Sequence, residues 1–149
     1  MTQLHEHELA RERAYPPRIS KFTQPFWQAL SEGRWITTGC TACGKLTFPP
    51  KAVCPHCWAA DMAWSEWTHR GVLYSWTRIH AAPSSFESET PYAVGIVDLD
   101  AGVRIACRVL DDGNTPLRIG CPVEIVVLKY RDGPLFAAQV INSKQSMIR

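Results

Sequence analysis

Cys40-Thr-Ala-Cys-Gly-Lys-Leu-Thr-Phe-Pro-Pro-Lys-Ala-Val-Cys-Pro-His-Cys57 is the stretch on which the reading of this chain turns. It holds two C-x-x-C pairs, Cys40/Cys43 and Cys54/Cys57, with ten residues between them. Each pair presents two thiolates from one tight knuckle, and two knuckles place four soft ligands at the corners of a tetrahedron. That donor set suits Zn²⁺, which brings no directional preference of its own. Gly44 follows the first knuckle, where positive φ keeps backbone N–H groups near the sulfurs. The spacer is long enough for a hairpin, Lys45–Phe48 followed by Pro49-Pro50, so the stretch predicts a zinc ribbon with Cys40, Cys43, Cys54 and Cys57 as metal ligands. Iron in a rubredoxin-like site is the rival for four thiolates, and two redox pairs or four buried thiols are the plainer alternative. His56 lies inside the second knuckle, but four cysteines already fill a structural site, and it reads as exposed.

C-terminal to the ribbon the pattern becomes β. Gly71–Ile79 is rich in β-branched and aromatic residues, and Tyr92–Leu99 forms a second run. Val103, Ile105, Cys107 and Val109 alternate with Arg104, Ala106 and Arg108, the period of a half-buried strand. Asp98–Gly102 reads as a hairpin turn, Asp111–Asn114 as another turn, and Arg131–Pro134 joins Val123–Tyr130 to Leu135–Val140. Five short strands in this span predict a small barrel. Cys107 and Cys121 fit buried packing positions.

N-terminal to the ribbon, residues 1–21 are polar and of mixed sign, which suits a marginal surface helix, a frayed tail, or a helix ordered by a partner. Tyr15-Pro16-Pro17 ends that segment. A short helix follows, with Thr23 able to cap it, Pro25 in its first turn and Gly33 closing it. Phe26, Trp27 and Leu30 share a face. The density of aromatics in Phe26, Trp27 and Trp35 marks either a core or a partner-binding patch. The divisions predicted are an N-terminal helical segment (1–36), a zinc ribbon (37–66), a barrel domain (67–141) and a tail (142–149).

Composition narrows the function. Lys+Arg is 16 against 14 for Asp+Glu, a formal +2, and four zinc-bound thiolates bring that to about zero. So balanced a charge weakens a nucleic-acid role, the competing reading for a ribbon and barrel in which Tyr74 and Trp76 would stack on single strands. No apolar run approaches a bilayer span and no apolar leader opens the sequence, which predicts a cytoplasmic protein in a reducing compartment. His69, His80, Ser84, Ser85, Glu87 and Glu89 are the nearest thing to catalytic residues, but their spacing assembles no nucleophile and base. Phosphate-cradling glycine motifs are absent. The chain is expected to do little chemistry alone.

Read in order, Phe26-Trp27, Gly33-Arg-Trp35, the two cysteine knuckles with Gly44, Phe48-Pro-Pro50 and Gly71-x-x-Tyr74-Ser75 resemble the DUF35 family. Pro91-Tyr92, Val97-Asp-Leu99, Gly102 and Ile119-Gly-x-Pro-Val123 complete the series, so that the resemblance spans roughly residues 20 to 140. It implies a helical N-terminus, a rubredoxin-like zinc ribbon and a five-stranded OB-fold associated with acyl-CoA metabolism. It also implies an accessory role beside a thiolase-fold enzyme, either a thiolase of the sterol-carrier or acetyl-CoA acetyltransferase kind, an acyl-CoA condensing enzyme, or a steroid side-chain aldolase. The expected assembly is a hetero-oligomer such as a heterotetramer, with Zn²⁺ structural and acyl-CoA a ligand of the complex. Arg78, Arg104 and Arg108, on the polar faces of predicted strands, are the candidate acyl-CoA contacts, against the plainer reading of solvated strand charges. Trp58 stands where the family often carries a small residue such as glycine after the last ligand.

Overall fold

A computed structural model describes residues 3–111 and 115–141. Its elements run β1 (Glu6–Glu8), α1 (Gln24–Ser31), β2 (Ile36–Cys40), β3 (Leu46–Thr47), β4 (Met62–Glu66), β5 (Arg70–Ile79), β6 (Tyr92–Leu99), β7 (Arg104–Leu110), β8 (Pro122–Tyr130) and β9 (Gly133–Val140). A 3₁₀ turn at Ser84–Glu89 lies between β5 and β6. β5 to β9 close a five-stranded barrel, because β8 pairs with both β5 and β9 while β7 runs parallel to β9. β2, β3 and β4 form a separate antiparallel sheet that carries the first cysteine pair.

The barrel interior follows from alternation. Leu73, Val97, Val123, Ile125 and Val127 are each 0% exposed, and each stands on the inward parity of its strand. The β6–β7 turn forms as the sequence predicts, with Gly102 at φ +83° donating its N–H to the Leu99 carbonyl. The predicted turn at Asp111–Asn114 lies largely, and the predicted tail 142–149 wholly, outside the described residues.

Residues 3–13 correct the expectation for the N-terminal segment. β5 pairs only with Pro122–Glu124 of β8, so the backbone groups of β8 beyond that point need another partner. β1 supplies it, running parallel to β8 with Glu6 opposite Val127 and Glu8 opposite Lys129. Leu9 donates to the Lys129 carbonyl, and the Arg11 carbonyl accepts from Arg131. Leu4, 2% exposed, enters the main core, while Leu9 packs on a smaller cluster of Val126, Leu128, Tyr130 and Ala137 outside the barrel. The segment is thus a strap rather than a helix. Its polar Glu-His-Glu run belongs to a strand because the open edge of β8, not local propensity, decides its conformation.

The helix occupies Gln24–Ser31 with Thr23 at its cap, but the Thr23 hydroxyl makes no capping bond. It accepts instead from the Ser20 N–H at 2.9 Å, while the Thr23 N–H is bonded to Ser20 Oγ at 3.1 Å. Phe26 and Leu30 turn inward. Phe26, Trp35, Phe48, Trp67 and Phe136 meet with ring centroids between 5.3 and 6.1 Å apart, joining helix, ribbon and barrel in one aromatic core.

Candidate metal centre and the grooves beside it

The four cysteines converge as their spacing predicts. Cys40 Sγ lies 3.6 Å from Cys57 Sγ, Cys43 Sγ lies 3.6 Å from Cys54 Sγ, and all four sulfurs fall within 4.8 Å of one another. A disulfide needs about 2.05 Å. Zinc with four sulfurs at about 2.3 Å sets them about 3.8 Å apart, so the cradle fits the ion and not a pair of cystines. Cys40 and Cys54 are buried, Cys43 and Cys57 exposed. The N–H groups of Cys43 and His56 point at Cys40 Sγ and Cys54 Sγ from 3.4 Å, the arrangement that steadies thiolates.

Without the ion these sulfurs share protons unequally. Burial pushes the Cys54 thiol up, but the N–H groups of Cys57 and His56 and the adjoining sulfurs of Cys43 and Cys57 bring it down to about 7. The Ala59 N–H draws Cys57 down, yet contact with Cys40, burial, and the sulfurs of Cys54 and Cys43 push it up to about 12. Cys40, Cys43, Cys54 and Cys57 would hold a dication as thiolates, and the ion would then cross-link the two knuckles. With every position filled by protein, such a centre is structural.

Cys107 is half-buried and Cys121 buried. Burial raises the Cys107 thiol to about 12 against the Ala138 N–H, so it packs rather than reacts.

The three candidate arginines do not gather at one point. Arg104 and Arg108 share the outer face of β7, opposite Asp98 and Val94. Arg104 Nε is 2.5 Å from Asp98 Oδ1, and its guanidinium sits 3.8 Å from the Tyr74 ring centroid. Arg108 lies over Tyr92 at 4.5 Å and donates to Glu89 Oε1 at 2.6 Å. Arg78 has the opposite parity, opposite the buried Ala93, 3.8 Å from Asp111. The cause is a bulge between Leu73 and Ser75, which leaves Tyr74 as the extra residue. Just past the bulge Gly95 pairs with Trp76, and a Cβ there would meet the Ser75 carbonyl oxygen at 2.6 Å. The same bulge separates Tyr74, 48% exposed on the outer face, from Trp76, which packs against the core. They form no joint stacking platform.

The proposed aromatic patch is also corrected. Phe26 and Trp35 are 4% and 3% exposed, spent on the shared core. Trp27 is half-buried and walls a groove of about 470 Å³ together with Phe48, Pro49, Pro50, Arg18 and Arg104. A second groove, about 540 Å³, continues past Ala106 to Val94, Ile96, Thr77 and Arg108. Both volumes lie in the range of small-molecule sites. Arg18 was hidden in the sequence, because a lone arginine after two prolines carries no spacing signal.

Among the residues weighed for catalysis, Glu89 is nearly sealed, its side chain 4% exposed, and is held by Arg11, Arg108 and the Tyr130 hydroxyl. His69 lies 3.9 Å from buried Glu124, whose other oxygen is 3.3 Å from His5 on the strap. These carboxylates tie separate segments together.

Comparison with known proteins matches this architecture. Residues 27–63 match the family described as the ChsH2 rubredoxin-like zinc ribbon domain, and residues 64–128 match its C-terminal OB-fold domain. The chain is 32% identical over 119 residues to the benzoylsuccinyl-CoA thiolase subunit BbsA of Thauera aromatica, covering 78% of this chain and 81% of that one. It belongs to the DUF35 family.

A DUF35 domain-containing scaffold protein of Methanocaldococcus jannaschii is 29% identical over 109 residues, covering 71% of this chain and 77% of its own. Among solved structures, an Ltp2-ChsH2(DUF35) aldolase chain superimposes with a TM-score of 0.71 at 28% identity, covering 84% of this chain and 98% of that one. Membership accounts for the ribbon and the barrel together. Among the described residues no helix is long and apolar enough to cross a membrane.

Proposed function

We propose that this chain is a non-catalytic accessory subunit of a thiolase-type enzyme complex. It helps bind an acyl-CoA and assemble the active complex in the cytoplasm. The observation that carries the reading is the division of labour in the molecule. A fully protein-ligated metal cradle and one shared aromatic core make a rigid scaffold, while the open features are grooves with apolar walls and arginine rims. Such grooves suit a ligand with an apolar chain and phosphates, which is the make-up of an acyl-CoA. Arg104 and Arg108 are the contacts best placed for the phosphates. Arg18 joins them, and Arg78 stands apart. Relatives named as a thiolase subunit, a scaffold protein and part of an aldolase support a thiolase-fold partner, with a hetero-oligomer such as a heterotetramer as the working unit.

Co-expression with the thiolase-fold enzymes of the same organism tests the partnership. One of them is expected to co-elute with this chain at fixed stoichiometry on size exclusion. If each elutes alone, the reading is wrong.

A further inference from the structure

The two knuckles of the ribbon share one backbone geometry, but the residue that closes each differs, and the bulkier one points outward. Gly44 and Trp58 each follow the last cysteine of a pair, and each donates its N–H to the carbonyl of the first, at 2.8 Å to Cys40 and 2.9 Å to Cys54. Both adopt the left-handed region, at φ +81° and +67°. A Cβ at Gly44 would meet nothing within 4 Å, so the position asks for positive φ rather than for a small side chain. A tryptophan pays that conformational penalty where glycine does not. Within its own chain Trp58 recovers little, being 81% exposed.

Its surroundings share this character. Residues 52–60, Ala-Val-Cys-Pro-His-Cys-Trp-Ala-Ala, contain no lysine, arginine, aspartate or glutamate, and all but Cys54 and Ala59 are exposed. The Cys54 N–H bonds to the Ala59 carbonyl at 2.9 Å, which sets Val53, 45% exposed, on the same tip as Trp58. An exposed, uncharged surface centred on a strained aromatic has the composition of the middle of a protein interface. Charge selects the occupant. Cys43 and Cys57 are exposed on the same knuckles, and four thiolates around one dication would carry a net negative charge. The flanking Lys45 and Lys51, opposed by Asp61, only partly offset it, so the tip is net negative although residues 52–60 hold no acidic or basic side chain of their own beyond the thiolates and His56. An anionic membrane and a second copy docked tip to tip are both disfavoured by that field. An apolar pocket rimmed with N–H donors or basic side chains is favoured.

We propose that Trp58 anchors the ribbon tip in an apolar, basic-rimmed pocket of the thiolase-fold partner enzyme. This rests on the partnership argued above. The test measures affinity and melting temperature of the zinc-loaded chain, as wild type, Trp58→Gly and Trp58→Phe, against the enzyme recovered by co-expression. Trp58→Gly is expected to weaken the complex at least about tenfold, mostly through faster dissociation. It should also raise the melting temperature by about 2–4 °C, since glycine suits the knuckle. Trp58→Phe should fall between in affinity. Affinity of Trp58→Gly within about twofold of wild type overturns the anchor while leaving the partnership standing. Weaker binding with a lowered melting temperature overturns it too, marking Trp58 as a residue of the fold. Binding of the wild-type tip to anionic phospholipid vesicles, or dimerisation lost in Trp58→Gly, assigns the surface to another occupant and has the same consequence. If wild-type chain binds no thiolase-fold enzyme, the anchor and the partnership fall together.

Discussion

The ribbon and the barrel are held together by different physics. The barrel buries Leu73, Val97, Val123, Ile125, Val127 and Val140 behind a closed ladder of hydrogen bonds. The buried side chains of the ribbon sheet are largely polar. Thr37, Thr38 and Thr47 are nearly inaccessible, with Thr37 Oγ1 donating to the Thr47 carbonyl and the hydroxyls of Thr38 and Thr47 3.0 Å apart. Beyond those threonines the ribbon is held by the four cysteines, by the aromatic junction of Phe48 with Phe26 and Phe136, and by Trp64 of β4 against Phe22. Apolar burial contributes about 25 cal/mol per Å², and hydroxyl pairs contribute far less net stability. The barrel therefore rests mainly on apolar burial, the aromatic junction included, whereas the ribbon is expected to lean on the metal.

Removing the metal should separate the two most sharply. Structural zinc contributes about 10–16 kcal/mol in small metal-dependent folds. Chelation is expected to release amide protection in β2, β3 and β4 while β5, β6 and β8 stay protected, as read by hydrogen exchange. Simultaneous loss in both regions would show that the barrel leans on the ribbon.

Trp35→Ala probes the joint between them. Deleting a buried aromatic costs about 3–5 kcal/mol, and here the loss should reach both ribbon and barrel transitions in a thermal scan. Trp35→Phe should be milder, because among the described residues the buried Trp35 Nε1 has no hydrogen-bond partner and its removal relieves an unsatisfied donor.

Ile125→Val sharpens the contrast from the barrel side. It should lower barrel stability by about 0.5–1.5 kcal/mol and leave zinc affinity unchanged, as measured by competition with a chromophoric chelator.

The smallest effect belongs to the strap. The Arg13 N–H holds Asp132 below the usual carboxylate value, helped by the Arg13 guanidinium against the opposing effect of burial. A carboxylate with a depressed folded pKa stabilises above its unfolded pKa, and that contribution is lost as pH falls through the folded value. Exchange of the Arg13 amide should accelerate relative to barrel amides below the usual carboxylate range. Asp132→Asn should abolish this pH dependence with little change in melting temperature.

The barrel strands were legible because alternation in Val103–Val109 and the turns at Asp98–Gly102 and Arg131–Pro134 are local signals. The cysteine cluster was legible because metal geometry limits how four thiolates can be spaced. What escaped depended on context. The Leu73/Ser75 bulge inverts every later residue of β5, and nothing in Leu-Tyr-Ser announces it. Glu6–Glu8 becomes strand only because β8 offers an edge. Phe26 and Trp35 were ambiguous because aromatic density marks an interface and a core alike, and only packing against Phe136 and Phe48 decides between them.

The direct measurement for the proposed accessory role is turnover of an acyl-CoA thioester by three samples: this chain, the thiolase-fold enzyme proposed as its partner, and their mixture. Full activity is expected in the mixture alone. Turnover by the isolated chain, or an undiminished rate from the partner without it, would contradict that role.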